Sequence, residues 1–193
     1  MGRLRNFATI ALLAVIVLSC QKPGNSASSS NTLSLPDLGV RYSPPGGMRD
    51  KTSPASRETR NGAASYAVRR AELLLDMSSD EDDTAPNWHQ VWIFVFPRTG
   101  LAGLDDTAAE KKMNTALAGA KAAPATEPQR RMFAGHDFMV SEFEQKEPPL
   151  VKHAKIFTTV CKGQLLSFVL VSNSPSQVSA MEESLNTLNF SSQ

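Results

Sequence analysis

A chain of 193 residues with 20 basic and 19 acidic side chains has a formal charge of +1, so it lacks the strongly basic face expected of a nucleic-acid binder. Its length suits one domain with a closed core, since typical domains run about 100–150 residues. Its two cysteines, Cys20 and Cys161, form no C-x-x-C pair, which removes the simplest redox and zinc motifs.

The first 19 residues follow the order of a secretory signal. Arg3 and Arg5 form a basic start, Phe7 to Leu18 is an apolar run, and Val17-Leu18-Ser19 leads into Cys20. Twelve apolar residues fall short of the roughly 20 that span a bilayer. Val-Leu-Ser-Cys resembles a lipobox, with Leu where Ala or Ser is more usual. The resemblance implies that residues 1–19 are removed, that the Cys20 thiol is diacylated and that the new amino terminus is acylated. What remains is 193 − 19 = 174 residues, with 20 − 2 = 18 basic against 19 acidic side chains. No polybasic segment follows Cys20 to bind anionic headgroups, so the acyl chains would hold the protein to the membrane at about 0.8 kcal/mol per buried methylene. Gln21 stands where the enteric inner-membrane retention signal has Asp. The expected location is therefore the cell envelope, facing the periplasm, with the outer membrane preferred over the inner.

Gln21 to Thr32 has no apolar residue larger than Ala and is rich in Ser, Asn, Pro and Gly, a composition that cannot bury enough surface to order itself. Residues 20–34 thus read as lipidated Cys and tether, reaching roughly 20 Å on average. One domain is expected over residues 35–190. Leu38 to Tyr42 alternates as a half-buried strand does, and Ser43-Pro44-Pro45-Gly46-Gly47 breaks it. Thr52 to Ser65 is polar and reads as loop. In Arg70 to Met77, Glu and Leu favour helix, whereas the flanking turn-rich stretches favour a strand, which is the reading adopted. Ser78 to Asn87 is a loop.

Val91 to Phe96 (VWIFVF) and Leu165 to Val171 (LLSFVLV) are almost wholly apolar. A strand apolar on both faces needs cover on both. Thr107 and Glu110 have capping-box spacing, followed by Ala109, Met113, Ala116, Leu117 and Ala120 at helical intervals. A second helix is predicted from Ser174, with Pro175 at its first position and Gln177 completing the box. Val178, Met181, Leu185 and Leu188 line its face. His136 to Phe143 and His153 to Cys161 read as strands, and Lys162-Gly163 as a tight hairpin to the Leu165 strand. The predicted order is three strands, a helix, three strands, a helix: an α+β fold whose antiparallel sheet carries helices on both faces.

This order, with Tyr42, Pro44 or Pro45, Gly46-Gly47 and Met48 near the start, resembles the Mog1/PsbP-like proteins, including bacterial lipoproteins of the DcrB group. Met48 stands where that family usually has Trp. The closing section is also similar: two long strands, a helix, then Leu185-Asn186-Thr187-Leu188-Asn189-Phe190. The resemblance implies an α-β-α sandwich over Leu38 to Phe190. It implies no catalytic residue, because the family serves unrelated roles on one fold.

The remaining chemistry is sparse. There is no G-x-S-x-G, H-E-x-x-H or Gly-rich phosphate loop. His89, His136 and His153 could meet in space as a metal site, but placement at strand entrances is the simpler expectation, and neither metal nor cofactor is expected. Asp80 to Asp83 lacks the calcium-loop spacing and reads as a solvated acidic loop. Cys161 is either a reactive thiol or a buried strand residue. It is eight residues from His153, about 26 Å along a strand, too far for a dyad. Trp92 is assigned to the core. Trp88 either anchors a partner or roofs the sheet edge. The functional expectation is a non-catalytic envelope lipoprotein that supports another envelope protein. The alternative is a lipoprotein that binds a small ligand in a pocket beside the sheet.

Overall fold

The structure, a computed structural model, describes residues 32–58 and 70–191. Residues 1–19, Cys20 and most of the tether lie outside the described residues. Strand β1 (Leu33–Leu35) begins within the segment read as tether and pairs antiparallel with β2 (Val40–Tyr42). Leu38 and Gly39, expected in a strand, form the turn between them, with Gly39 at φ +66°.

After β3 (Arg49–Asp50) come β4 (Glu72–Ser78) and β5 (His89–Pro97), then helix α1 (Asp106–Ala118). Next are β6 (Ala123–Pro124), β7 (Gln129–Phe133), β8 (His136–Glu147), β9 (Leu150–Cys161) and β10 (Gln164–Ser172). Helix α2 (Pro175–Glu182), a 3-10 turn over Glu183–Thr187 and β11 (Asn189–Phe190) close the described chain. Among the described residues the main antiparallel sheet has eight strands in the order β3-β4-β5-β10-β9-β8-β6, with β7 also on the outer edge of β8.

The apolar strand β10 lies between β5 and β9, with Phe168 opposite Ile93 on one side and Phe157 on the other. Strand alternation sends Leu166, Phe168 and Leu170 to one face and Leu165, Val169 and Val171 to the other. Each face has its own cover. α1 brings Ala109 and Met113 onto the Leu165 face, while Val178, Met181 and Leu185 of α2 and the following turn cover the Phe168 face. The expected two-sided sandwich is therefore present.

A second, three-stranded sheet of order β1-β2-β11 adds cover on the Phe168 face. Tyr42 meets Phe168 edge-to-face at 5.1 Å between ring centroids, and its hydroxyl lies 2.8 Å from Ser184 Oγ. Burial pushes the Tyr42 phenol up to about 12, against the opposing effect of the Ser184 hydrogen bond.

Local details depart from the expected pattern. The N-cap of α1 is Asp105, whose side chain accepts from Ala108 N at 2.7 Å. Thr107 is inside the helix, and Glu110 pairs with Arg130 at 2.6 Å rather than closing a box. Ser174 caps α2 by position, but Gln177 Oε1 accepts from Ser172 Oγ at 2.6 Å instead of reaching back to Ser174. Residues 54–58, read as loop, are helical. The β9–β10 hairpin forms as expected, with Lys162 and Gly163 at φ +46° and +72°, the left-handed pair that a type I′ turn requires. Beneath α1, Asn114 joins strands β8 and β9 by donating to Met139 O at 3.0 Å and Ser141 Oγ at 2.9 Å. Its carbonyl accepts from Thr158 Oγ1 at 2.5 Å, and Thr158 Oγ1 lies 2.6 Å from Ser167 Oγ.

Candidate functional site

Helix α1 stops at Ala118, with Gly119 at φ +86° turning the chain away. Beyond that end, its face of the sheet opens into a pocket of about 270 Å³, lined among others by Trp88, Gln90, Trp92, Phe143, Gln145 and Lys152. The pocket exists because β5, β8 and β9 run past the helix that covers their other halves.

Strand periodicity puts Gln90 and Trp92 on this face. Beneath them Asp76 of β4 is only 4% exposed. Its Oδ1 accepts from Gln90 Nε2 at 2.5 Å and from Trp92 Nε1 at 3.0 Å. A buried carboxylate needs such donors, because burial without them is costly. At the rim Lys152 Nζ donates to Asp83 Oδ2 at 2.7 Å, lies 3.2 Å from Glu147 Oε2 and stands 5.2 Å over the Trp88 ring. Burial alone would lower the Lys152 pKa, but hydrogen bonds to Asp83 and Glu147 outweigh it and hold the ammonium above its ordinary value. Gln145 Nε2 donates to Glu147 Oε1 at 2.5 Å. The site therefore has aromatic walls, two amides and a charge-balanced rim.

Trp88 takes the roofing place, and Trp92 is less deeply buried than its assignment to the core implies. Trp88 is 4% exposed and packs with Phe94 and Val171, so it is no exposed partner anchor. The segment before β5 folds inward, with the Trp88 carbonyl accepting from Ser172 Oγ at 2.9 Å. Trp92, assigned to the core, is half-buried at the pocket. What the sequence reading missed is Asp76, a carboxylate opposite Trp92 in the β4–β5 register.

The histidines do not converge. His89 and His136 open β5 and β8 as expected. His153 does not open its strand, because β9 starts at Leu150, and it lies 3.5 Å from Glu144. His136 stacks on Phe190 at 3.7 Å between centroids. Among the described residues no group of three His, Cys, Asp or Glu could hold a metal ion. Cys161 is buried, its thiol donates to Leu38 O at 3.3 Å, and burial pushes its pKa up despite nearby Lys162. In the acidic loop, Asp80 and Asp82 accept from backbone amides of that loop, and Asp83 takes Lys152.

No protein-family model matches this chain, and no curated protein matches it. Solved structures do resemble it. The cyanobacterial PsbP (CyanoP) of Synechocystis sp. PCC 6803 is 15% identical with a TM-score of 0.53, over 87% of this chain and 96% of that one. A protein from Bacteroides thetaiotaomicron VPI-5482 is 10% identical with a TM-score of 0.50, over 84% of this chain. This chain spans 48% of that longer one. LpqN of Mycobacterium tuberculosis, involved in cell envelope biogenesis, is 8% identical with a TM-score of 0.45, over 76% of this chain and 78% of its own. At such identities the likeness is one of architecture. The chain has a PsbP-like α+β fold.

Proposed function

We propose that this protein is a lipid-anchored, non-catalytic component of the cell envelope that supports another envelope protein. The observation that carries the proposal is the leader itself: Arg3, Arg5, the apolar run Phe7 to Leu18, and Val17-Leu18-Ser19 before Cys20. A PsbP-like domain behind a segment rich in Ser and Asn fits an accessory role. The non-catalytic reading draws support from Cys161, whose raised pKa and bond to the Leu38 carbonyl make it a poor nucleophile. It also draws support from His153 and Cys161, which sit near opposite ends of β9.

Mass spectrometry of the mature protein is the test. Acyl mass on an amino terminus at Cys20, lost in Cys20→Ala, is the expected result. Retention of residues 1–19, or an unmodified Cys20, would overturn the anchor. A hydrolase screen on the purified protein addresses the second half, since turnover abolished by His89→Ala, His136→Ala or His153→Ala would overturn the non-catalytic reading.

A second reading, a small-ligand-binding lipoprotein, is favoured by the pocket at Trp88 and Trp92 beside the sheet.

A further inference from the structure

Where the β1–β2 turn meets the start of β4, the end of β5 and the start of β10, the Phe168 face of the sheet opens into a groove of about 370 Å³. Its walls are largely apolar. Leu35, Leu74 and Val95 are half-buried and flank the Phe168 core, and Pro36 and Pro97 extend the apolar surface. Three charged residues line the same groove: Asp37, Arg70 and Glu72. All three are exposed, and none forms an ion pair or side-chain hydrogen bond with a described residue. The Trp88 pocket differs, because its Lys152 is already matched by Asp83 and Glu147. Arg70 itself turns the chain into β4 with φ +79°, a backbone conformation that few residues other than Gly, Asn and Asp adopt.

We propose that this groove binds a single-chain zwitterionic amphiphile, a lysophospholipid with an ethanolamine head. Its acyl chain lies along Leu35, Leu74 and Val95, its phosphate meets Arg70, and its ammonium meets Asp37 and Glu72. The lining selects each part. An apolar chain takes the half-buried Leu and Val surface out of water. A guanidinium with no partner suits a phosphate, which it can meet through two parallel N–H···O bonds. The two carboxylates repel a purely anionic head, and the guanidinium repels a purely cationic one. Gln164 is the only uncharged polar side chain among the described lining residues, so a polyhydroxylated ligand would find few neutral partners. The volume lies near the lower end of the roughly 300–1,000 Å³ of small-ligand sites, which suits one chain rather than two. The proposal concerns the folded domain and is independent of the anchor at Cys20.

The test is isothermal titration calorimetry below the micelle concentration, on the full chain carrying Cys20→Ala so that no acyl chain of its own competes. Uptake by the apolar leader is common to all variants and cancels between them. The probes are lauroyl lysophosphatidylethanolamine, lauroyl lysophosphatidylglycerol, dodecyl maltoside and O-phosphorylethanolamine. The ethanolamine lipid should bind saturably and about tenfold tighter than each of the others, as one extra charge-assisted contact supplies. Arg70→Asn, whose new side chain tolerates the left-handed backbone, should weaken that lipid about tenfold. Glu72→Gln should weaken it too and narrow its advantage over the glycerol lipid. Both side chains are exposed, so an unchanged circular dichroism spectrum is expected. Met132→Ala, on the opposite edge of the sheet, should leave binding unaltered. No saturable binding of the ethanolamine lipid would overturn the proposal. So would equal binding of any other probe, or binding unchanged in both Arg70→Asn and Glu72→Gln.

Discussion

Arg130 and Arg131 are neighbours on β7, yet they hold helices on opposite faces of the sheet. Arg130 pairs with Glu110 of α1 at 2.6 Å, and Arg131 pairs with Glu182 of α2. Successive side chains of a strand point to opposite faces, so one dipeptide at the sheet edge ties both covering layers to the same strand. Glu182 also receives Lys155 Nζ at 3.0 Å, and Lys155 reaches Glu142 at 2.7 Å.

Lys155→Met should cost about 1.5–3 kcal/mol in urea unfolding, the usual contribution of a hydrogen bond to a charged group. The double variant with Glu182→Gln should lose less than the two single losses summed, because both changes remove the same Lys155–Glu182 pair. Additive losses would show that the two groups act independently.

Glu110 predicts a pH dependence. Burial raises its carboxyl above the ordinary 4.5, and Arg130 only partly offsets this. The folded protein therefore binds that proton more tightly than the unfolded chain does. The resulting stabilisation is complete below 4.5 and is lost as pH rises through the raised value. Unfolding midpoints across the weakly acidic range should lose this component in Glu110→Gln; parallel curves for the two proteins would contradict the assignment.

Phe94 and Phe168 are 3% and 0% exposed, on opposite faces of adjacent strands. Either change to Ala should cost about 3–5 kcal/mol, the range for a buried aromatic. Losses under roughly 1 kcal/mol, far below that range, would show that the strands are not interior.

The Asp105 cap distinguishes the observed start of α1 from the one suggested by Thr107 and Glu110. Asp105→Ala should lower stability by about 0.5–2 kcal/mol. Thr107→Ala loses only an exposed contact with Arg130 at 3.0 Å and should cost less. The reverse order, measured by thermal unfolding, would restore Thr107 as the cap.

Cys161 should react slowly with a thiol reagent in the native protein and at the rate of a model thiol in denaturant. Its burial and its bond to Leu38 O remove both access and thiolate. Rapid stoichiometric labelling of the folded state would disprove that.

The strong strands β5 and β10, both helices and the Lys162-Gly163 hairpin were legible because hydrophobic runs, a helical repeat and turn residues are local signals. β7 was not. Its QRRMF sequence exposes four of five residues, and its arginines answer carboxylates far away in sequence. The outer ends of β8 and β9 were equally hidden, since Glu144 to Glu147 and Leu150 to Lys152 lie at the rim and not in the buried core. The half-buried place of Trp92 had the same origin. Trp92 is drawn to Asp76, 16 residues earlier, and no local pattern records that distant acceptor.

The three-stranded sheet sets an order on folding. β2 pairs with β11, which joins Val40 to Phe190, so the first described strands are completed by the last. A chain emerging amino end first would keep Leu38, Val40 and Tyr42 uncovered until Phe190 had followed. Pairings so distant in sequence are slow to form, and exposed apolar surface invites association meanwhile. Loss of the last few residues would therefore unseat the first strands, and the domain is best regarded as a clasp whose two ends must both be present to shut.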